Sequence, residues 1–197
     1  QHGSQTDGFF SGLKHILTTQ NIAAGLYTAC LNLPIMVLCA LWGIQYLQVV
    51  HHLSMYDSSN AVSMIFLGSM LGCPLAGFLS DKIQKRKPVM WIGALATLVL
   101  SIPLVLTQLN ISPNLLMCIF FALGCVTSAQ VLSYPLIAES NSMQYSGRAC
   151  SIASFIIMGG GMLAQILFGY LLSFKGADTT HLSVAQFQFA MYLFPVS

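Results

Sequence analysis

Charge is what this sequence has least of. Of 197 residues, seven are Lys or Arg and five are Asp or Glu, 6% in all; a soluble globular domain carries about 25%. A soluble domain of this length needs a charged surface, and this chain cannot make one. A soluble enzyme, a nucleic-acid binder and a disordered tail are excluded together. Cysteine brings no metal or redox signature. Cys30, Cys39, Cys73, Cys118, Cys125 and Cys150 lie in or beside apolar runs, with no C-x-x-C pair and no metal spacing; they read as small packing residues. Strand-like alternation is missing from runs such as 91–100, so helices are expected rather than membrane β-strands. No secretory signal is visible; residues 1–12 are polar and contain Gly and Ser, as a linker end does.

What is present is a chain that is 56% hydrophobic. A bilayer-crossing helix takes about 20 largely apolar residues. Charge-free gaps run from Lys14 to Asp57, Asp57 to Asp81, Lys87 to Glu139, Arg148 to Lys175, and onward from Asp178. The third is too long for one helix and divides at Gln108-Leu109-Asn110-Ile111-Ser112-Pro113-Asn114, a polar turn with a proline. Six spans are expected, at about 22–48, 61–80, 89–107, 115–137, 149–173 and 184–197. The fold class is all-α, a polytopic membrane helix bundle whose last helix is truncated. That run stops at Phe194-Pro195-Val196-Ser197, and the chain starts with Gln1 rather than Met; both ends lead to the expectation of a fragment. Phe9, Phe10, Leu13, Ile16 and Leu17 recur at helical spacing beside Lys14 and His15, as in a short amphipathic helix on a membrane surface.

Basic residues stay on the cytoplasmic side of a membrane. Numbering the sides alternately, one holds Lys14, Lys82, Lys85, Arg86, Lys87 and Arg148, and the other holds Lys175 alone. Loops 81–88 and 139–148 are therefore expected in the cytoplasm, with the first span running outward.

The first of these loops, with the helix end before it, reads Gly77-Phe78-Leu79-Ser80-Asp81-Lys82-Ile83-Gln84-Lys85-Arg86-Lys87. It resembles the signature loop of the major facilitator superfamily, G-x-x-x-D-[RK]-x-G-x-[RK]-[RK]. Gly77, Asp81, Lys82, Arg86 and Lys87 fit. Gln84 replaces the second glycine, and a side chain resists the positive φ that glycine accepts. Gly77 is expected to let two helix backbones approach, as are Gly68 and Gly72, a G-x-x-x-G pair. The resemblance implies a cytoplasmic latch that pairs Asp81 with Arg148, and Glu139 with Arg86 or Lys82. The plain alternative is that these charges only fix topology. The resemblance further implies half of a twelve-span fold built as a 3+3 inverted repeat. The lead-in Leu13-Lys14-His15-Ile16-Leu17, with Asn21, Tyr27 and Pro34, looks like the end of a central linker entering the seventh span. Residues 1–21 are assigned to that linker, and 22–197 to the C-terminal six-span half.

Polar side chains inside a span are costly and tend to face a bundle interior or a water-filled path. The family's cavity is lined by the first and fourth spans of each half. Here the first span carries Tyr27, Asn32, Trp42, Gln45 and Tyr46, and the fourth carries Thr127, Gln130 and Tyr134. These are the candidate solute-pathway residues. For the amides the alternative is helix–helix hydrogen bonding; for Trp42 and Tyr46 it is the aromatic belt at the outer interface. In the fifth span Ser154, Met158, Gly161 and Gln165 share a face that includes part of Gly159-Gly160-Gly161, read either as a moving gate or as tight packing. Pro34, Pro74, Pro103 and Pro135 mark kinks. No Asp, Glu, Lys or Arg lies within a span, so proton coupling is expected elsewhere. His51 and His52, near the outer end of the first span, read as a solvated pair.

The function implied is transport of a small polar solute, an amino acid, a sugar or a similar metabolite, by alternating access in a secondary transporter of the symporter kind. No cofactor, no metal and no catalytic residue is expected, and the chain is not an enzyme. Its partners are the lipid bilayer, a missing N-terminal six-helix half and the solute, with no nucleic acid. The runs 40–48 and 129–141 look similar to bacterial nutrient importers, which implies a bacterial inner membrane. A non-transporting sensor or assembly subunit is a second reading, and an intramembrane enzyme a third.

Overall fold

Backbone in lipid must satisfy its own hydrogen bonds, and a helix does this within one segment. The computed structural model describes residues 16–106, 111–174 and 184–191. Among them, five helices are long and apolar enough to cross a membrane. We number the elements α1 (Thr19–Val50), α2 (Met55–Ile83), α3 (Arg86–Val105), α4 (Pro113–Ser140), α5 (Met143–Phe174) and α6 (Val184–Met191). Five of the expected spans are present as helices. The described part of the sixth is Val184–Met191. The expected surface helix and Lys14 lie outside the described residues, apart from Ile16, which is buried, and Leu17, which is exposed.

Helices α1, α2 and α4 begin before the apolar runs because their first turns carry polar caps. Thr18 Oγ1 accepts from Asn21 N (3.2 Å), and Ser112 Oγ from Leu115 N (3.4 Å). Ser54 Oγ accepts from Asp57 N (3.1 Å) and donates to Asp57 Oδ2 (2.7 Å). Asp57 therefore belongs to the first turn of α2, where a carboxylate suits the positive end of the helix.

Two spans are not α-helical throughout. In α1, Pro34 is followed by a π-helical segment, Ile35–Trp42. In α4, a 3-10 segment, Ser128–Leu132, precedes Pro135. Proline lacks an N–H and its ring crowds the carbonyl four residues back; for Pro135 that is Val131, inside the tightened turn.

Helices α2 and α4 lie closest. A Cβ on Gly68 would meet the Phe121 carbonyl oxygen, and a Cβ on Gly124 would meet that of Ile65. Gly77 corrects the expectation: no atom comes within 4 Å of a Cβ placed there. Its neighbours Phe78 and Leu79 are exposed, so the face of α2 that carries Gly77 has no helix packed on it.

The main apolar cluster joins Leu38, Tyr46, Leu47, Ile65, Phe120 and Phe168 with Phe187 of α6. A smaller one gathers Ile16, Ala24, Ile137, Ala149 and Ala153. The outward faces are as apolar as the inside: Met70, Phe78, Phe155 and Tyr170 are each more than 60% exposed. That distribution suits lipid or apolar protein as the surroundings and does not suit water.

Candidate functional site

At one end of the bundle the signature loop folds into a compact turn. Gln84 adopts φ 57, the left-handed conformation, despite its side chain. Its Nε2 donates to the Asp81 carbonyl (2.7 Å), as does its backbone N–H (3.3 Å). These two bonds offset the strain that a glycine there would avoid. The turn brings Arg86 back beside Asp81. Arg86 Nη1 lies 2.6 Å from Asp81 Oδ1 and 3.1 Å from Ser80 Oγ; its Nη2 lies 2.8 Å from Glu139 Oε1. One guanidinium thus joins the end of α2, the start of α3 and the end of α4.

The expected Asp81–Arg148 pair is not formed. Arg86 already occupies Asp81, and Arg148 is exposed with no ion pair among the described residues. The Glu139–Arg86 pair is formed as expected. Lys82, Lys85 and Lys87 are exposed around it. A cavity of about 560 Å³ opens among Ser80, Lys85, Lys87 and the three paired groups.

A second tie, missed in the sequence, lies beside the first. Asn21 Nδ2 donates to Asn141 Oδ1 (3.1 Å), and Asn141 Nδ2 donates to Asn21 Oδ1 (3.0 Å). Their other protons go to the Ile16 and Ile137 carbonyls, both at 2.7 Å. Gln20 Nε2 donates to Ser140 Oγ (2.7 Å). The start of α1 is therefore clamped to the end of α4. The signal was available: Asn141 follows Glu139 and Ser140, and amides at helix ends seek partners.

Further in, α1 and α4 share a polar line. Thr28 Oγ1 donates to Ser133 Oγ (2.6 Å), which donates to the Gln130 carbonyl (2.9 Å). Gln130 Oε1 is buried without a hydrogen bond. Tyr134 Oη lies 3.3 Å from Ser154 Oγ on α5. Thr127 is fully buried and bonded to its own helix at the Leu123 carbonyl (2.8 Å). Asn32 is 8% exposed.

The other candidates point elsewhere. Tyr27 Oη donates to the Met90 carbonyl (2.8 Å), beside an apolar groove of about 360 Å³. Trp42 packs on Phe168, ring centres 6.0 Å apart, with its Nε1 buried and unbonded. Gln45 is exposed. Tyr46 is fully buried, and its Oη donates to the Leu104 carbonyl (2.7 Å). That proton is spent, so the His51 Nε2 at 3.3 Å must carry the hydrogen of their shared bond. His52 is exposed, as expected of a solvated pair, but His51 is half-buried against Tyr46. Partial burial, and then the neighbouring His52, lower the His51 pKa below its ordinary 6.5.

The structure brings Gln130 and Tyr134 into one region with Thr28, Ser133 and Ser154, and leaves Tyr27, Trp42 and Tyr46 in separate contacts. Among the described residues no cluster of three or more His, Cys, Asp or Glu is placed to hold a metal ion. Among the described residues, charged side chains stand only near helix ends. The arrangement can pass hydrogen bonds between helices; it has no ionised group in mid-span to bind a metal or a fixed charge. A family model described as Major Facilitator Superfamily matches residues 3–196. No curated protein matches the chain.

Proposed function

The chain belongs to the Major Facilitator Superfamily, a family of secondary transporters rather than enzymes, and from that premise we propose that it carries a small polar solute without net charge. Amino acids and sugars are the classes that fit. The observation that supports this best is the polar line between α1 and α4. It offers hydroxyls, a phenol and the unbonded Gln130 amide oxygen, and no charged group. An ion with net charge would have no counter-charge in these spans; a hydroxyl or ammonium donor would satisfy Gln130 Oε1.

In this reading the five long helices and the described part of α6 belong to a six-span, C-terminal half-bundle. Its first 21 residues end a central linker, and a second half-bundle faces it across the pathway. The end bearing Asp81, Arg86 and Glu139 is cytoplasmic, because lysines crowd there. A bacterial inner membrane and symport are the corresponding setting and mode, with the coupling group outside these spans. The Arg86 triad and the Asn21–Asn141 clamp hold the cytoplasmic ends of α1 to α4 together, so that end moves as a unit.

Uptake of a panel of labelled sugars and amino acids into proteoliposomes, with the full-length protein, tests the reading. Gln130→Leu is expected to raise KM for the accepted solute about tenfold, the loss of one hydrogen bond of about 1.4 kcal/mol. Absence of both flux and binding across the panel defeats the transport reading. Unchanged KM in Gln130→Leu removes Gln130 from the pathway.

A further inference from the structure

Helix α1 changes character along its length. Its first half is tied by side chains: Asn21 to Asn141, Gln20 to Ser140, Tyr27 to the Met90 carbonyl, Thr28 to Ser133. Its last eight residues, Gly43–Val50, have Tyr46 Oη on the Leu104 carbonyl (2.7 Å) and a weaker bond from Gln48 Nε2 to Met55 Sδ (3.5 Å) as side-chain bonds to other helices. Between the halves lies the π-helical segment Ile35–Trp42.

Two independent features hold that segment in its π register. The first is on α1 itself. The Gly43 N–H bonds to the Leu38 carbonyl, five residues back, which is the π spacing. A Cβ at Gly43 would collide with that same oxygen, so only glycine closes the turn this way. The second comes from α5. Gln165 Nε2 donates to the Met36 carbonyl at 2.9 Å, reaching across from a helix otherwise apolar at this level. Gly161 permits the approach: a Cβ there would sit 3.2 Å from Met36 Cγ.

A π turn holds one residue more than an α turn, and each residue of an α-helix advances about 100°. Conversion of Ile35–Trp42 to the α register would therefore turn Gly43–Val50 by about that angle relative to the clamped first half. It would carry Tyr46 away from Leu104. We propose that Gln165 is a positioning residue that pins the π register of α1 and so sets the orientation of its outer third, the part that admits solute from the far side. Its bearing on solute access rests on the transport reading; the register itself does not.

The test uses full-length protein in lipid nanodiscs and measures amide hydrogen exchange. In Gln165→Leu, exchange across Gly43–Val50 is expected to rise about fivefold, the loss of one net hydrogen bond. Exchange across Thr19–Pro34 should not change. Gly43→Ala, which acts from α1, is expected to give the same local pattern. Equal increases along both segments mean plain destabilisation and overturn the proposal, as does no increase in either variant. In solute uptake, Gln165→Leu is expected to change the maximal rate with KM held, since Gln165 bonds backbone; a rise in KM alone also overturns it. Failure of the wild-type protein to transport any solute defeats the transport reading and leaves the exchange result standing.

Discussion

Tyr46→Phe separates two roles that the sequence could not distinguish. The Tyr46 side chain is wholly buried, its ring 5.9 Å from that of Phe187, and its hydroxyl caps the Leu104 carbonyl at 2.7 Å. Leu104 lies in the last turn of α3, where carbonyls lack a helical donor. Phenylalanine keeps the ring and its packing, so no cavity opens. It removes one donor and leaves a buried acceptor unbonded, which costs about 1–3 kcal/mol. The His51 Nε2–H loses its acceptor as well, though at 3.3 Å that bond is the weaker one. For a chain of this size each kcal/mol moves the midpoint by about 2–4 °C, so a fall of about 2–12 °C is expected. Thermal melting of the purified full-length protein, followed by tryptophan fluorescence, reads it directly. Solute KM should hold, because the hydroxyl faces a backbone carbonyl and not the pathway. An unchanged midpoint with a raised KM would refute the reasoning and return Tyr46 to the solute.

Two further outcomes follow from the same geometry. Gly124→Val places a side chain against the Ile65 carbonyl, and neither backbone can yield without separating α2 from α4; a loss of about 1–3 kcal/mol is expected, whereas Gly77→Ala, with open space around it, should melt as wild type. His51 has a folded pKa below its ordinary 6.5, so the native state binds fewer protons than the unfolded chain, and the stability it contributes is present above about pH 6.5 and lost as the pH falls through the lowered value. His51→Gln should therefore shrink the drop in melting midpoint between about pH 7.5 and about pH 5.5, and an equal drop in both proteins would show that His51 is not the group responsible.

The spans were legible because lipid tolerates so little charge that twelve charged residues mark nearly every helix end. What the hydropathy could not reveal is polar structure that belongs to helices. Ser54 and Asp57 look like loop and are a cap; Asn141 looks like loop and clamps α1. The candidate site was legible only in residue type. In a helix apolar all round, periodicity carries no facing signal, so Tyr46, Trp42 and Gln130 were equivalent on paper. Their directions were set by a register change at Ile35–Trp42, which follows Pro34, and by the tightened turn at Ser128–Leu132, which precedes Pro135, and both depend on neighbouring helices. Gln84 failed the glycine rule locally, and its own amide bond to Asp81 supplied the compensation.

The two ends of the bundle differ in the kind of force that holds them. Apolar packing has no direction and, where lipid competes for the same surface, little driving force of its own. Hydrogen bonds and ion pairs fix angles as well as distances. The end carrying Arg86 has both: three charged groups on three elements, and the reciprocal Asn21–Asn141 amides linking α1 to α4. The far end relies on Leu47, Phe168 and Phe187 packed around one tyrosine. A rearrangement that keeps the Arg86 end intact therefore breaks two strong directional bonds between spans, Tyr46 to the Leu104 carbonyl and Gln165 to the Met36 carbonyl, while one that keeps the far end intact breaks at least four. Motion within this bundle is cheapest beyond Ile35–Trp42, and motion of the Arg86 end must carry α1 to α4 together.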